Sequence, residues 1–218
     1  HEYYYQKRMK SPLIIIVLTL VLLPSCRSAP ATTTVPYQPS EDQKAYWYNG
    51  EAELTSFKLT QARYGELREG TAVMIFVTED FSTTKFTKTD KEGKDKTSVL
   101  KLNFTKNFTT GIYPYSILTS SFVPFSGEER ALKISTSIQE WCGHVYMELV
   151  RKKFFNINIQ SYFEDETKVD LELPIAYLED ELWSMIRLNP AALPIGNTRV
   201  IPSFSYLRMM HVEPKAYD

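Results

Sequence analysis

Between Thr71 and Gln160 the chain alternates apolar and polar residues in one segment after another, and this period of two restricts its fold more than any other feature. Leu100, Leu102 and Phe104 alternate with Lys101, Asn103 and Thr105. Leu132, Ile134, Thr136 and Ile138 alternate with Lys133, Ser135 and Ser137, and Phe155, Ile157 and Ile159 with Asn156, Asn158 and Gln160. Successive side chains of a strand point to opposite faces, so each segment reads as a strand with one dry and one wet face. Thr71 to Thr78 is apolar on both faces, the pattern of a strand covered on two sides. Glu51 to Leu59 follows the Asn49-Gly50 turn signal. Thr83 to Thr89 and Ser98 to Thr105 flank the charged stretch Asp90 to Lys96, as in a hairpin with a solvated tip.

The chain holds 14 Tyr and 12 Phe, which favours strands further. Ala176 to Leu188 carries Leu178, Leu182, Met185 and Ile186 on one helical stripe. Glu179, Asp180 and Glu181 at its start and Arg187 at its end suit a helix dipole. Thr198 to Tyr206 reads as an edge strand because Pro202 interrupts it. The predicted fold is mainly β: a curled antiparallel sheet or partial β-barrel, with one covering C-terminal helix at about 176–188.

Upstream of this domain, Met9-Lys10 opens a basic stretch and Leu13 to Leu23 is an almost unbroken apolar run. The run is too short to span a bilayer and fits a signal-peptide core. It ends in Leu23-Pro24-Ser25-Cys26, which resembles the bacterial lipobox, and lipid attachment to Cys26 is expected. Residues 1–8 read as an over-extended start, 9–25 as the lipoprotein signal peptide, and 26–41 as the lipidated cysteine with a flexible tether rich in Pro, Thr, Ser and Ala. Residues 42–218 then form a single β-rich domain, C-terminally truncated on this reading. No acidic run follows Cys26, which points to the outer membrane with the domain facing the periplasm. A net charge of −1, with both signs interspersed, argues against nucleic acid as a partner. The expected partners are the membrane, through the lipid on Cys26, and an apolar ligand or envelope protein.

The densest chemistry lies in Glu140-Trp141-Cys142-Gly143-His144. A strand running from Gly143 to Val150, extended back through Cys142, places Cys142, His144, Tyr146 and Glu148 on one face. A thiol and an imidazole on one face can form a nucleophile–base pair, although same-face neighbours lie about 6.5–7 Å apart unless Gly143 introduces a bulge. No third, orienting residue is evident, and the structural reading is a small half-buried Cys142 beside a hydrogen-bonded His144. Arg63 is expected to pair with Glu66 or Glu69. Tyr113, Tyr115, Phe122 and Trp141 are the candidate ligand contacts, lining a cavity or plugging the end of a barrel. Only three His occur (His1, His144, His211), so zinc would require Cys142, His144 and His211 to converge; no metal and no cofactor are expected.

The segments Trp47 to Leu54, Gln61 to Glu66, Glu140 to His144 and Leu178 to Trp183 resemble an uncharacterised family of Bacteroidetes lipoproteins. The resemblance covers most of the domain and implies a longer C-terminus. Such proteins are sometimes named septum formation inhibitor Maf. Maf proteins carry an N-terminal Ser-x-Ser-Pro-Arg-Arg motif that this chain lacks, and no catalytic residues carry over. The expected function is non-enzymatic binding of an apolar ligand or envelope partner by a membrane-anchored lipoprotein; the alternative is a thiol-dependent hydrolase or transferase using Cys142 and His144.

Overall fold

Eleven strands and three helices occupy the described residues of the computed structural model, 37–126 and 130–218. The segment read as a signal peptide at 9–25, Cys26 and most of the expected tether lie outside those residues. Eight long strands run in chain order as an antiparallel meander: β1 (Glu53–Arg63), β2 (Glu66–Ser82), β4 (Lys96–Thr110), β5 (Tyr113–Pro124), β6 (Lys133–Gln139), β7 (Val145–Arg151), β8 (Phe155–Ser161) and β9 (Lys168–Leu173). The two-residue β3 (Thr87–Lys88) pairs back onto β2. β1 and β9 are the two free edges, so the sheet does not close into a barrel.

The period of two is realised side chain by side chain. Leu102, Ile134, Ile138, Val145, Met147, Leu149, Phe155, Ile157 and Ile159 are buried, while their polar neighbours face outward or stay partly exposed. The expected hairpin of Thr83–Thr89 with Ser98–Thr105 is replaced by a longer pairing of β2 with β4, from Gly70↔Phe108 to Ser82↔Lys96. The Asp95 carboxylate accepts hydrogen bonds from the Ser82 and Thr84 hydroxyls at 2.6 and 2.8 Å, which draws the connecting loop tight against β2.

The inner face of the sheet is covered from both chain ends. Helix α1 (Glu41–Trp47) starts at a capping box formed by Ser40 and Gln43, and its Trp47 packs at 6.3 Å from Phe76. Tyr37 is bonded to Leu188, so the end of the segment read as tether belongs to the fold.

The C-terminal cover begins with β10 (Tyr177–Leu178) and a 3₁₀ turn (Glu179–Glu181), followed by α2 (Leu182–Leu188). Helix therefore starts at Leu182 rather than 176. After a second 3₁₀ turn come β11 (Val200–Ile201), parallel to β10, and α3 (Phe204–Met210). Leu178, Leu188, Ile201, Phe204 and Leu207 join the sheet residues in one continuous core. Each fully buried side chain of this size contributes about 1.5–3 kcal/mol, so this segment is a structural layer rather than a tail.

The strand expected at Thr198–Tyr206 thus gives way to a helix after Ile201. Ser203 caps it, its hydroxyl accepting from the Tyr206 amide, and carboxylates from the acidic turn engage its first amides. Glu179 accepts from Ser203 N–H at 2.8 Å and Asp180 from Phe204 N–H at 2.9 Å. The acidic residues therefore cap α3, not the helix they precede in sequence. Glu181 is fully buried, paired with Arg130 at 2.9 Å and accepting from the Ala131 and Leu178 amides.

Candidate functional site

Two sites share the end of the sheet where β6 turns into β7. The first lies on the outer face. Glu140 to His144 form the β6–β7 connection, and β7 begins only at Val145, so the strand does not extend back through Cys142. The Glu140 carboxylate accepts the Cys142 N–H at 2.9 Å and tightens the turn. Cys142 and His144 are both exposed, and no hydrogen bond joins thiol and imidazole among the described residues. They line a shallow depression of about 1020 Å³ together with Trp141, Tyr146, Gln139, Gln160 and Tyr162. Below it the Tyr146 hydroxyl donates to Glu148 at 2.9 Å; burial, then that carboxylate, pushes the phenol up to about 12.

The second site is a cleft on the inner side, between α3 and strands β7 and β8. Its volume is about 350 Å³; Val145, Met147, Ile159 and Leu207 form an apolar floor, and Arg208, His211 and Glu164 to Lys168 form a charged rim. Arg208 and Glu140 make an ion pair at 3.2 Å. The Arg208 guanidinium also lies 3.8 Å from the centre of the Phe163 ring and contacts His211 Nε2 at 3.4 Å. Burial pulls its pKa down. His211 Nδ1 in turn meets Glu166 at 2.5 Å, which connects α3 to the β8–β9 loop across the cleft mouth. Sequence reading overlooked Arg208, because a charged residue in an expected edge strand looks solvated; an arginine one turn after Phe204 and next to Leu207 signals a core-facing position only once the segment is known to be helical.

The four candidate ligand contacts do not converge. Trp141 and Tyr113 are exposed and meet edge to face at 5.2 Å between centroids. Tyr115 is buried and stacks on Phe108 at 4.7 Å, and Phe122 packs on Phe81 at 4.8 Å. Arg63 does not pair with Glu66 or Glu69; it donates to the Met209 carbonyl at 2.6 Å, while Glu66 takes Arg68. The hydroxyl of Tyr115 lies 3.4 Å from Arg63 Nε, so Arg63 ties the β1–β2 turn to both β5 and α3. Among the described residues no three His, Cys, Asp or Glu side chains gather as a metal site, and His211 lies with Glu166 and Arg208 rather than with Cys142. No helix among them is long and apolar enough to cross a membrane. Comparison with protein-family models, with curated proteins and with solved structures gives no match to this chain.

Proposed function

We propose that the chain is a lipid-anchored protein of the bacterial cell envelope, held on the outer membrane through Cys26 and facing the periplasm, that binds an apolar or amphiphilic ligand without transforming it. The observation that carries this reading is the α3 cleft, with its floor of Val145, Met147, Ile159 and Leu207 beneath a charged rim. An apolar body with a polar end matches that gradient, and the volume of about 350 Å³ suits a small or partly inserted ligand. The rest of the inner face is filled by the C-terminal cover, so the ligand is held at the cleft rather than in a hollow barrel.

Titration of the mature chain with the apolar fluorophore N-phenyl-1-naphthylamine tests the binding. A saturable rise in emission, lost in Ile159→Trp where the larger side chain occupies the floor, is expected. No saturable rise, or a rise unchanged in that variant, overturns the reading. The anchor is tested separately by metabolic labelling with a palmitate analogue: label on the native chain and none on Cys26→Ser is expected, and equal labelling of both, or of neither, removes the anchor.

A further inference from the structure

We infer that the outer-face depression at the β6–β7 turn is a binding site for a neutral oligosaccharide. It is distinct from the α3 cleft, which opens on the other side of the sheet. Register places one row of its residues. Ser137, Tyr146 and Gln160 are cross-strand partners on β6, β7 and β8. Gln139, His144 and Tyr162 lie just past the last paired residues, Ile138↔Val145 and Val145↔Ser161, and line the same depression together with Trp141.

Three observations name the chemistry. Three aromatic side chains here are open to solvent: Trp141 is 63% exposed, Tyr162 74% and Tyr146 42%. A solvated aromatic ring loses water favourably only against an apolar face, and a pyranose offers such a face in its axial C–H bonds. Secondly, Gln139, His144 and Gln160 are exposed, and their side chains make no hydrogen bond to any described residue. Amides that both donate and accept match vicinal sugar hydroxyls, which do the same.

Thirdly, no lysine, no arginine and no unpaired carboxylate lines the depression. Its one acidic lining residue, Glu140, is 3% exposed and already engaged by Arg208 and the Cys142 amide. A charged ligand would be desolvated there without a counter-charge, whereas a neutral polyol would not. A shallow opening of about 1020 Å³ lined from three strands has room for more than one sugar ring.

The native protein is titrated by calorimetry with cellohexaose, maltohexaose and chitohexaose, and with hexagalacturonate as the acidic counterpart. Saturable binding of at least one neutral hexasaccharide is expected, with weaker or no binding of the acidic one. Trp141→Ala and Tyr162→Ala should each weaken it at least tenfold while leaving the melting temperature unchanged. Trp183→Ala, which removes an exposed tryptophan packed against Phe104 instead, should leave it unaltered. Absence of binding for all three neutral sugars at millimolar concentration overturns the inference, as does binding indifferent to Trp141→Ala. A blue shift of tryptophan emission with dioleoylphosphatidylcholine vesicles that is lost in Trp141→Ala, and none with sugar, would assign the surface to a bilayer instead. Loss of naphthylamine binding in the α3 cleft leaves this site untouched, so the two readings fail separately.

Discussion

Glu140 and Arg208 face each other at 3.2 Å with both side chains 2% exposed, which makes them the most deeply buried arginine–carboxylate pair among the described residues. The pair joins the β6–β7 turn to α3, and so connects the outer depression to the inner cleft through one contact. Burying two charges costs several kcal/mol per ion, offset only by their mutual attraction and further hydrogen bonds. Here Glu140 adds the Cys142 amide and Arg208 the Phe163 ring, while Arg208 Nε has no partner.

Arg208→Met should therefore cost about 3–5 kcal/mol, because it strands a buried carboxylate. The double variant Arg208→Met with Glu140→Gln should recover a large part of that loss, since neither charge then remains. Urea denaturation of the wild type, both single variants and the pair measures this. Additive losses would show that the two residues act independently.

Asp180 sets a pH dependence with a definite sign. Burial, opposed by the Phe204 amide and helped by the neighbouring Glu179, raises its carboxyl to about 6 from an ordinary value of 3.8. The folded state then holds a proton that the unfolded chain has released, so this residue's contribution to stability falls as pH rises from about 4 to about 6 and is level above that. Asp180→Asn keeps an oxygen acceptor for Phe204 N–H and removes the titration. Its stability relative to wild type should increase across that window, as read from melting temperatures at a series of pH values. Parallel profiles would assign the titration elsewhere.

Gly70 and Gly143 separate backbone from side-chain crowding. A Cβ at Gly70 would stand 2.1 Å from the Asn107 carbonyl oxygen and 2.8 Å from Phe108 Cβ, inside the β2–β4 ladder. Backbone cannot move aside without parting the strands, so Gly70→Ala should lose about 1–3 kcal/mol or more. At Gly143 the obstacles are the Phe163 and Tyr162 rings at 2.8 and 2.9 Å, which can rotate. Gly143→Ala should cost less and instead displace Tyr162. Chemical denaturation ranks the two, and equal losses would contradict the distinction.

How much was legible follows from how local each signal is. The one-sided strands were readable because a dry face repeats every two residues, and Leu132 to Ile138 or Phe155 to Ile159 carry that repeat without outside help. The mainly β sheet, open at its edges and covered by a short C-terminal helix, follows from them. Helix α3 was not readable, because Phe204 and Tyr206 favour a strand locally and Pro202 only moved that strand to an edge. Carboxylates of Glu179 and Asp180, more than twenty positions upstream, decide the matter by accepting its first amides. Arg63 shows the same limit: two glutamates lay close in sequence, yet the Met209 carbonyl and the Tyr115 hydroxyl hold it. At the candidate sites, Cys142 and His144 were read on one face of a strand, whereas their placement in a turn goes with Glu140 being drawn inward to Arg208.

Cys142 offers the most direct check on the chemistry of the β6–β7 turn. Its side chain is exposed, and only its backbone N–H is engaged, by Glu140. An exposed thiol without a hydrogen-bonded imidazole should react with N-ethylmaleimide in the folded protein at the rate of an unactivated cysteine. Cys142→Ser preserves the backbone contact and removes no core volume, so unfolding free energy should change by no more than about 0.5 kcal/mol. Mass spectrometry of a timed alkylation, alongside the same reaction on the urea-unfolded chain, measures the first expectation. A folded-state rate well above the unfolded one, reduced in His144→Ala, would mean that the imidazole activates the thiol in solution and would return the hydrolase or transferase reading to the front.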